Sequence, residues 1–342
     1  MARDVGRWLG IAGGVSVAAA ASAVAYGRFG IGRDAPLPPA LDAERRVVDS
    51  PAGRLSYYVA GSGPALLLVH SINAAASAYE VGPLFERFRQ THRVYAPDLP
   101  GFGFSERSQR DYDAGTYVQA IAAMADELRA ETGESRIVAL ALSLSGEFLA
   151  RFADEHPEAL AGIVLVTPTG FETGSRARRG RRASMEVPGL LPALRVPLWR
   201  EGLYNLLVTR RSMRFFLEQT WGSKDIDERF LDYGYLSAHQ PGAEHAPYCF
   251  VSGRLFSRDI RDVYDRLTVP VFLLHGTRGQ FSDFAEVGAV RGRANWTVQA
   301  MPTGALPHFE RLDETENRIR DFLAAIGDAD QGSSSGPRSP SP

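Results

Sequence analysis

Four short stretches of this chain contain no polar side chain: Ala65 to Val69, Ile137 to Leu142, Gly162 to Val166 and Val271 to Leu274. A strand with one face in water alternates polar and apolar residues, so unbroken apolar runs belong to strands covered on both faces. The stretches between them carry helical periodicity. A helix is expected from about Tyr112 to Thr132. Phe148, Leu149 and Phe152 fall on one stripe after the second run, and Ile319, Phe322, Leu323 and Ile326 follow i, i+3, i+4, i+7 near the end. Arg54 to Ala60, Arg93 to Ala96 and Trp296 to Met301 read as further strands. Buried strands alternating with amphipathic helices predict an α/β fold, a doubly wound, mostly parallel sheet with helices on both faces. Sites in such sheets lie at the carboxyl ends of the strands.

One block interrupts the alternation. Residues 170–266 show no clear strand, place Leu203, Leu206 and Leu207 on one face, and hold Trp199, Phe215, Phe216 and Trp221. They read as an inserted helical lid between two parts of a core, 41–169 and 267–327. Residues 328–342 (DADQGSSSGPRSPSP) have too little apolar surface to fold and are expected to be an unstructured tail.

Residues 1–35 differ from the rest. Trp8 to Tyr26 is 19 residues without a charge, flanked by Arg3 and Arg7 before and Arg28 and Arg33 after. At ~1.5 Å per residue a helix of this length matches a bilayer core. Three readings stay open: a single-pass membrane anchor, a cleaved export signal with Ala21-Ser22-Ala23 at its end, or a surface-docked helix. The flanking arginines balance and assign no side. The formal net charge of −2 suggests no nucleic-acid partner, and the lone Cys249 rules out an internal disulfide. No metal-ligand spacing and no phosphate-binding glycine loop is present, so no cofactor is implied.

The run Ile137 to Leu142 ends at Ser143, with Ala141 two residues before it and Ser145 two after. Small residues on both sides of a serine at a strand-to-helix junction form the pattern of a nucleophile elbow, a turn too tight for bulk that exposes the hydroxyl at the top of a sheet.

Here the chain resembles the α/β-hydrolase superfamily, from about Leu55 to Ile326. Asp98-Leu99-Pro100-Gly101-Phe102-Gly103-Phe104-Ser105 matches the family's D-x-P-G-x-G-x-S loop. His156-Pro157-Glu158 follows the elbow serine as in many members. His70 ends the Leu67-Leu68-Val69 strand where the family has its His-Gly oxyanion segment. Gly304-Ala305-Leu306-Pro307-His308-Phe309-Glu310 looks like the C-terminal G-H-x-P-H-F-E segment. The resemblance implies Ser143 as nucleophile, with Leu144 N–H and Ile72 N–H as oxyanion donors. Ser71 replaces the family glycine, and Asn73 could add a donor beside the substrate.

The same resemblance exposes two gaps. The family's acid falls at Gly279 and its base at Ala305. The nearest substitutes are Asp283 and His308, giving a displaced triad of Ser143, His308 and Asp283. Against it, His308 reads equally as a structural histidine, Asp283 as a helix cap, and Ser143 as a small residue required by the turn. His70 is expected to shape the oxyanion turn, and His275 to be a core group. Glu147, at the start of the helix after Ser143, favours the helix dipole. Two main functions follow, with lyase or other non-hydrolytic chemistry in the same pocket, needing no serine nucleophile, as a third. One is hydrolysis of an ester or related acyl bond of a small or medium apolar substrate through an acyl-enzyme at Ser143. The other is binding of an apolar ligand or a protein partner without catalysis. Arg176, Arg178, Arg179, Arg181 and Arg182 open the inserted block. They form a solvated loop or, beside an anchored N-terminus, a basic surface against anionic lipid.

Overall fold

The computed structural model describes residues 24, 25, 27, 35–174 and 184–334, with side chains described as far as 327. Each apolar run is a strand: β3 (Ala65–Val69), β5 (Ile137–Leu142), β6 (Leu160–Val166) and β7 (Val271–Gly276), and nearly every residue in them is buried. β2 (Gly53–Ala60), β4 (Arg93–Pro97) and β8 (Trp296–Met301) complete the expected set. A further strand, β1 (Glu44–Ser50), pairs antiparallel with β2 at the sheet's edge. The eight strands run in the order β1-β2-β4-β3-β5-β6-β7-β8, with only the β1–β2 and β2–β4 pairings antiparallel. The doubly wound, mostly parallel sheet is thus as expected.

The crossover in that order builds the site. β3 lies between β4 and β5, and Val69 pairs with Ala141. The turn after β3 therefore opens beside the turn after β5, although the two are far apart in sequence.

α1 (Gly82–Phe88) follows β3, and α2 (Ala114–Thr132) follows β4. The carboxylate of Asp113 caps α2 by accepting from Thr116 N–H at 2.8 Å, and Gly133 ends it at φ 76°. α3 (Ser145–Glu155) follows β5 and buries Phe148, Leu149 and Phe152. α10 (Pro307–Glu310) and α11 (Leu312–Ser334) close the chain, α11 burying Ile319, Phe322 and Ile326. α11 runs seven residues, 328–334, into the stretch expected to lack structure. Packing of its first half supplies the nucleus, after which each residue adds a hydrogen bond at little cost. The rest of that tail, 335–342, lies outside the described residues.

Between β6 and β7 the described residues form α4 (Leu190–Leu194), α5 (Arg200–Leu207), α6 (Arg210–Trp221), α7 (Glu228–Ala238), α8 (His245–Val251) and α9 (Ile260–Arg266). This helical block rests on the carboxyl ends of the strands. Tyr204 Oη donates to Ala74 O at 2.7 Å in the turn after β3, and Arg107, beyond β4, donates to Ser237 O at 3.0 Å. The arginine run and most of the N-terminal apolar run lie outside the described residues. Among the described residues no helix is long and apolar enough to cross a membrane.

Candidate active site

Ser143 occupies the left-handed region at φ 50°. A non-glycine residue held there costs about 1–3 kcal/mol, which the surroundings must offset. They do so with backbone bonds: Ser143 N–H donates to Val166 O and Gly146 N–H to Ser143 O, both at 2.9 Å. Ser145, the small residue two positions on, is buried and donates its hydroxyl to His70 O at 2.6 Å, tying the elbow to the end of β3. Gly146 lies so close to Pro168 that an added Cβ would stand 3.0 Å from its Cβ. The Ser143 hydroxyl has no hydrogen-bond partner among the described residues and is partly exposed.

The turn after β3, where the oxyanion donors are expected, is built around a buried acid. Glu80 accepts from Ser71 N–H at 2.8 Å and from Asn73 Nδ2 at 2.6 Å. Asn73 also donates to Ser71 Oγ at 3.0 Å and accepts from Ala75 N–H at 2.7 Å. The Asn73 amide is consumed inside the turn, and Ser71 Oγ is engaged with it. This corrects the expectation that the two would face a substrate. Ile72 N–H and Leu144 N–H, the two expected oxyanion donors, donate to no acceptor among the described residues. His70 shapes the turn: its Nε2 accepts from Leu99 N–H at 2.9 Å, which puts its proton on Nδ1, 2.6 Å from Ser71 O. Burial lowers its pKa to about 4, so the ring stays neutral.

The displaced triad does not assemble. His308 is fully buried and donates from Nε2 to Glu80 O at 2.8 Å. Burial lowers its pKa to about 4. It braces the main chain of Glu80, the residue that holds the turn after β3, and makes no hydrogen bond to Ser143. Asp283 is exposed and accepts from Thr173 N–H at 3.0 Å and Ala285 N–H at 3.1 Å, fastening its loop to the start of the helical block. Among the described residues no hydrogen bond joins Ser143, His308 and Asp283.

The positions where an acid and a base would stand are filled by a helix end. The last carbonyls of an α-helix lack intrahelical donors. In α6, Gln219 O takes Gln280 N–H at 3.0 Å, and Thr220 O takes Ala305 N–H at 2.8 Å. The contact needs glycine. Gly279 has φ 85°, and an added Cβ would lie 2.5 Å from Gln219 O. Gly304 would put one 2.5 Å from both Thr220 O and Trp221 O. Trp221 then packs against Phe309, with ring centroids 5.8 Å apart.

Glu147 has a role that sequence reading did not assign. It is buried on α3 and accepts from Thr169 Oγ1 at 2.5 Å and from Ser257 N–H at 3.1 Å, joining the elbow helix to the residue just before the inserted block and to the block itself near its end. Burial raises its pKa to about 7. His275 is a core group as expected, stacked on Phe284 at 4.2 Å.

A family model for the α/β-hydrolase fold matches residues 64–283, more than half of the chain, and the chain belongs to that family. It is 28% identical over 156 residues to an uncharacterized protein of Mycobacterium bovis, covering 42% of this chain and 43% of the other. The chain thus spans less than half the length of that curated relative. It is also 28% identical over 277 residues to the 1-acylglycerol-3-phosphate O-acyltransferase ABHD5 of Sus scrofa, covering 77% of each. Among solved structures it resembles a serine hydrolase involved in carbazole degradation, the CarC enzyme. The TM-score is 0.65 at 16% identity, covering 82% of this chain and 99% of the other, a likeness of fold alone.

Proposed function

We propose that this α/β-hydrolase-family protein binds a small or medium apolar ligand carrying a carbonyl or carboxylate group, and does not hydrolyse it. The observation that carries this reading is the clamp of α6 on Gly279 and Ala305, the two positions where the acid and base would stand. A serine hydroxyl at neutral pH is a poor nucleophile without a base in hydrogen-bond reach. Ser143 has none among the described residues, and His308 is committed to Glu80. What persists is a polar floor: the Ser143 hydroxyl with Ile72 N–H and Leu144 N–H, donors suited to one ligand oxygen.

The rival reading is a serine hydrolase acting on an apolar ester through an acyl-enzyme at Ser143. A fluorophosphonate probe separates the two. The full chain in detergent is incubated with the probe beside Ser143→Ala, and modified residues are mapped by mass spectrometry. We expect no adduct at Ser143 under conditions that label an active serine hydrolase to completion. An adduct there would overturn the binding reading and install the acyl-enzyme.

A further inference from the structure

We propose that the helical block is the face this protein lays on a lipid bilayer, with Leu198, Val187 and Val251 as the residues that enter the bilayer surface. The inference concerns an interaction surface and holds whether or not Ser143 is chemically active.

Three observations converge. The large apolar side chains with the highest exposure are concentrated on the block: Leu198 is 69% exposed, Phe215 48%, Val187 41% and Val251 39%, against only Val47 and Phe281 elsewhere among the described residues. Three of these are gathered by one helix, α8. Val251 is its last residue; Val187 N–H donates to Ser252 O, just past its end, at 2.8 Å; and Tyr248 Oη, within it, donates to Arg200 O at 2.5 Å, two residues beyond Leu198. Half-buried Trp199, beside Leu198, is the side-chain type enriched where an apolar medium meets water.

The third observation says what covers the patch. The uncharged run Trp8 to Tyr26 ends at Gly27, and Gly27 is seated on α5. The buried Asn205 donates from Nδ2 to Gly27 O at 2.6 Å. The backbones meet without room for a side chain. A Cβ on Gly202 would lie 2.3 Å from Val24 O, and one on Gly27 would lie 2.4 Å from Gly202 O. The chain therefore delivers the end of a bilayer-length apolar run to α5, and the turn before α5 carries Leu198. A segment leaving a bilayer at that point brings α5 and its neighbours down onto the headgroups. Scattered apolar residues on a soluble face need no partner, but a cluster beside the seat of such a segment fits a lipid surface.

The test uses the full chain reconstituted into vesicles of phosphatidylcholine and phosphatidylglycerol. Leu198→Cys and, separately, Val47→Cys carry an environment-sensitive fluorophore, with the unmodified chain run in parallel to register any label on buried Cys249. Val47, on the edge strand β1, is 56% exposed and serves as an apolar control away from the block. We expect a blue shift at position 198 and several-fold stronger quenching there than at position 47 by lipids carrying a nitroxide. Equal quenching at both positions would mean unspecific adsorption and would overturn the proposal. So would absence of quenching at 198, or failure of the chain to float with the vesicles.

Discussion

The turn after β5 and the loops after β7 and β8 have had opposite fates. The elbow keeps its geometry in full: a strained serine at φ 50°, small neighbours, and two open N–H groups across a strand pairing. The two loops present Gly279 and Ala305 to the end of α6. The difference teaches how differently a fold holds its parts. Ser143 sits inside a strand-turn-helix junction whose backbone bonds and close packing persist for structural reasons alone. An acid and a base sit on loops, where side-chain identity is free to answer to whatever packs above. A serine kept at such a turn can therefore answer to geometry alone, whereas Gly279, at φ 85° under a helix end, answers to what packs above it.

The sharpest way to break this comparison is to restore the acid. Gly279→Asp forces a side chain at positive φ to within 2.5 Å of Gln219 O. It is expected to cost more than about 3 kcal/mol in urea denaturation and to yield no ester hydrolysis, alone or with Ala305→His. A double variant of undiminished stability that cleaved a p-nitrophenyl ester would show the loops to be spare rather than committed.

Glu147 offers a middle-sized effect, on the elbow's own attachment to the block. Its folded pKa, raised to about 7 by burial, exceeds the ordinary carboxylate value, so the folded state holds a proton that the unfolded chain releases from about pH 4.5 upward. Stability therefore falls between about pH 4.5 and 7 and levels off above. Glu147→Gln keeps an acceptor for Ser257 N–H without the titration. Its stability relative to the parent should be near zero at pH 4 and favour the variant by on the order of 3 kcal/mol at pH 8. Thermal melts across that range check it, and parallel curves would refute a buried protonated Glu147.

The smallest effect sharpens the claim of strain. Ser143→Gly removes the cost of positive φ but enlarges the unfolded ensemble. A net gain of roughly 0.5–1 kcal/mol is expected, and a loss of that size would mean the hydroxyl makes a stabilising contact of its own.

The core was legible because burial on both faces writes itself as unbroken apolar runs, and the elbow because tight geometry demands small residues at fixed offsets. β1 was missed for the converse reason: Glu44–Ser50 is an edge strand, mostly polar, with side chains alternating between exposed and half-buried. The helical block was visible only as a stretch without strands. Its docking rests on backbone carbonyls meeting backbone N–H groups, which no side-chain pattern records. The roles of Glu80, His308 and Glu147 were hidden because each binds main-chain atoms, those of His308 and Glu147 more than a hundred residues away. Glu80, an acid set between Tyr79 and Val81, and Glu147, beside the elbow, were the available signals, since carboxylates seldom sit among apolar neighbours without a task.

The seam between α6 and the two loops also bears on where this sequence can travel. Placing an acid at position 279 and a base at position 305 are not two independent single steps. The first is blocked while Gln219 O stands where the new Cβ would go, and moving the helix first strands carbonyls that those loops now satisfy. An acid at 279 and a base at 305 would therefore require the end of α6 and both loops to move together, so the seam couples the two positions as one unit.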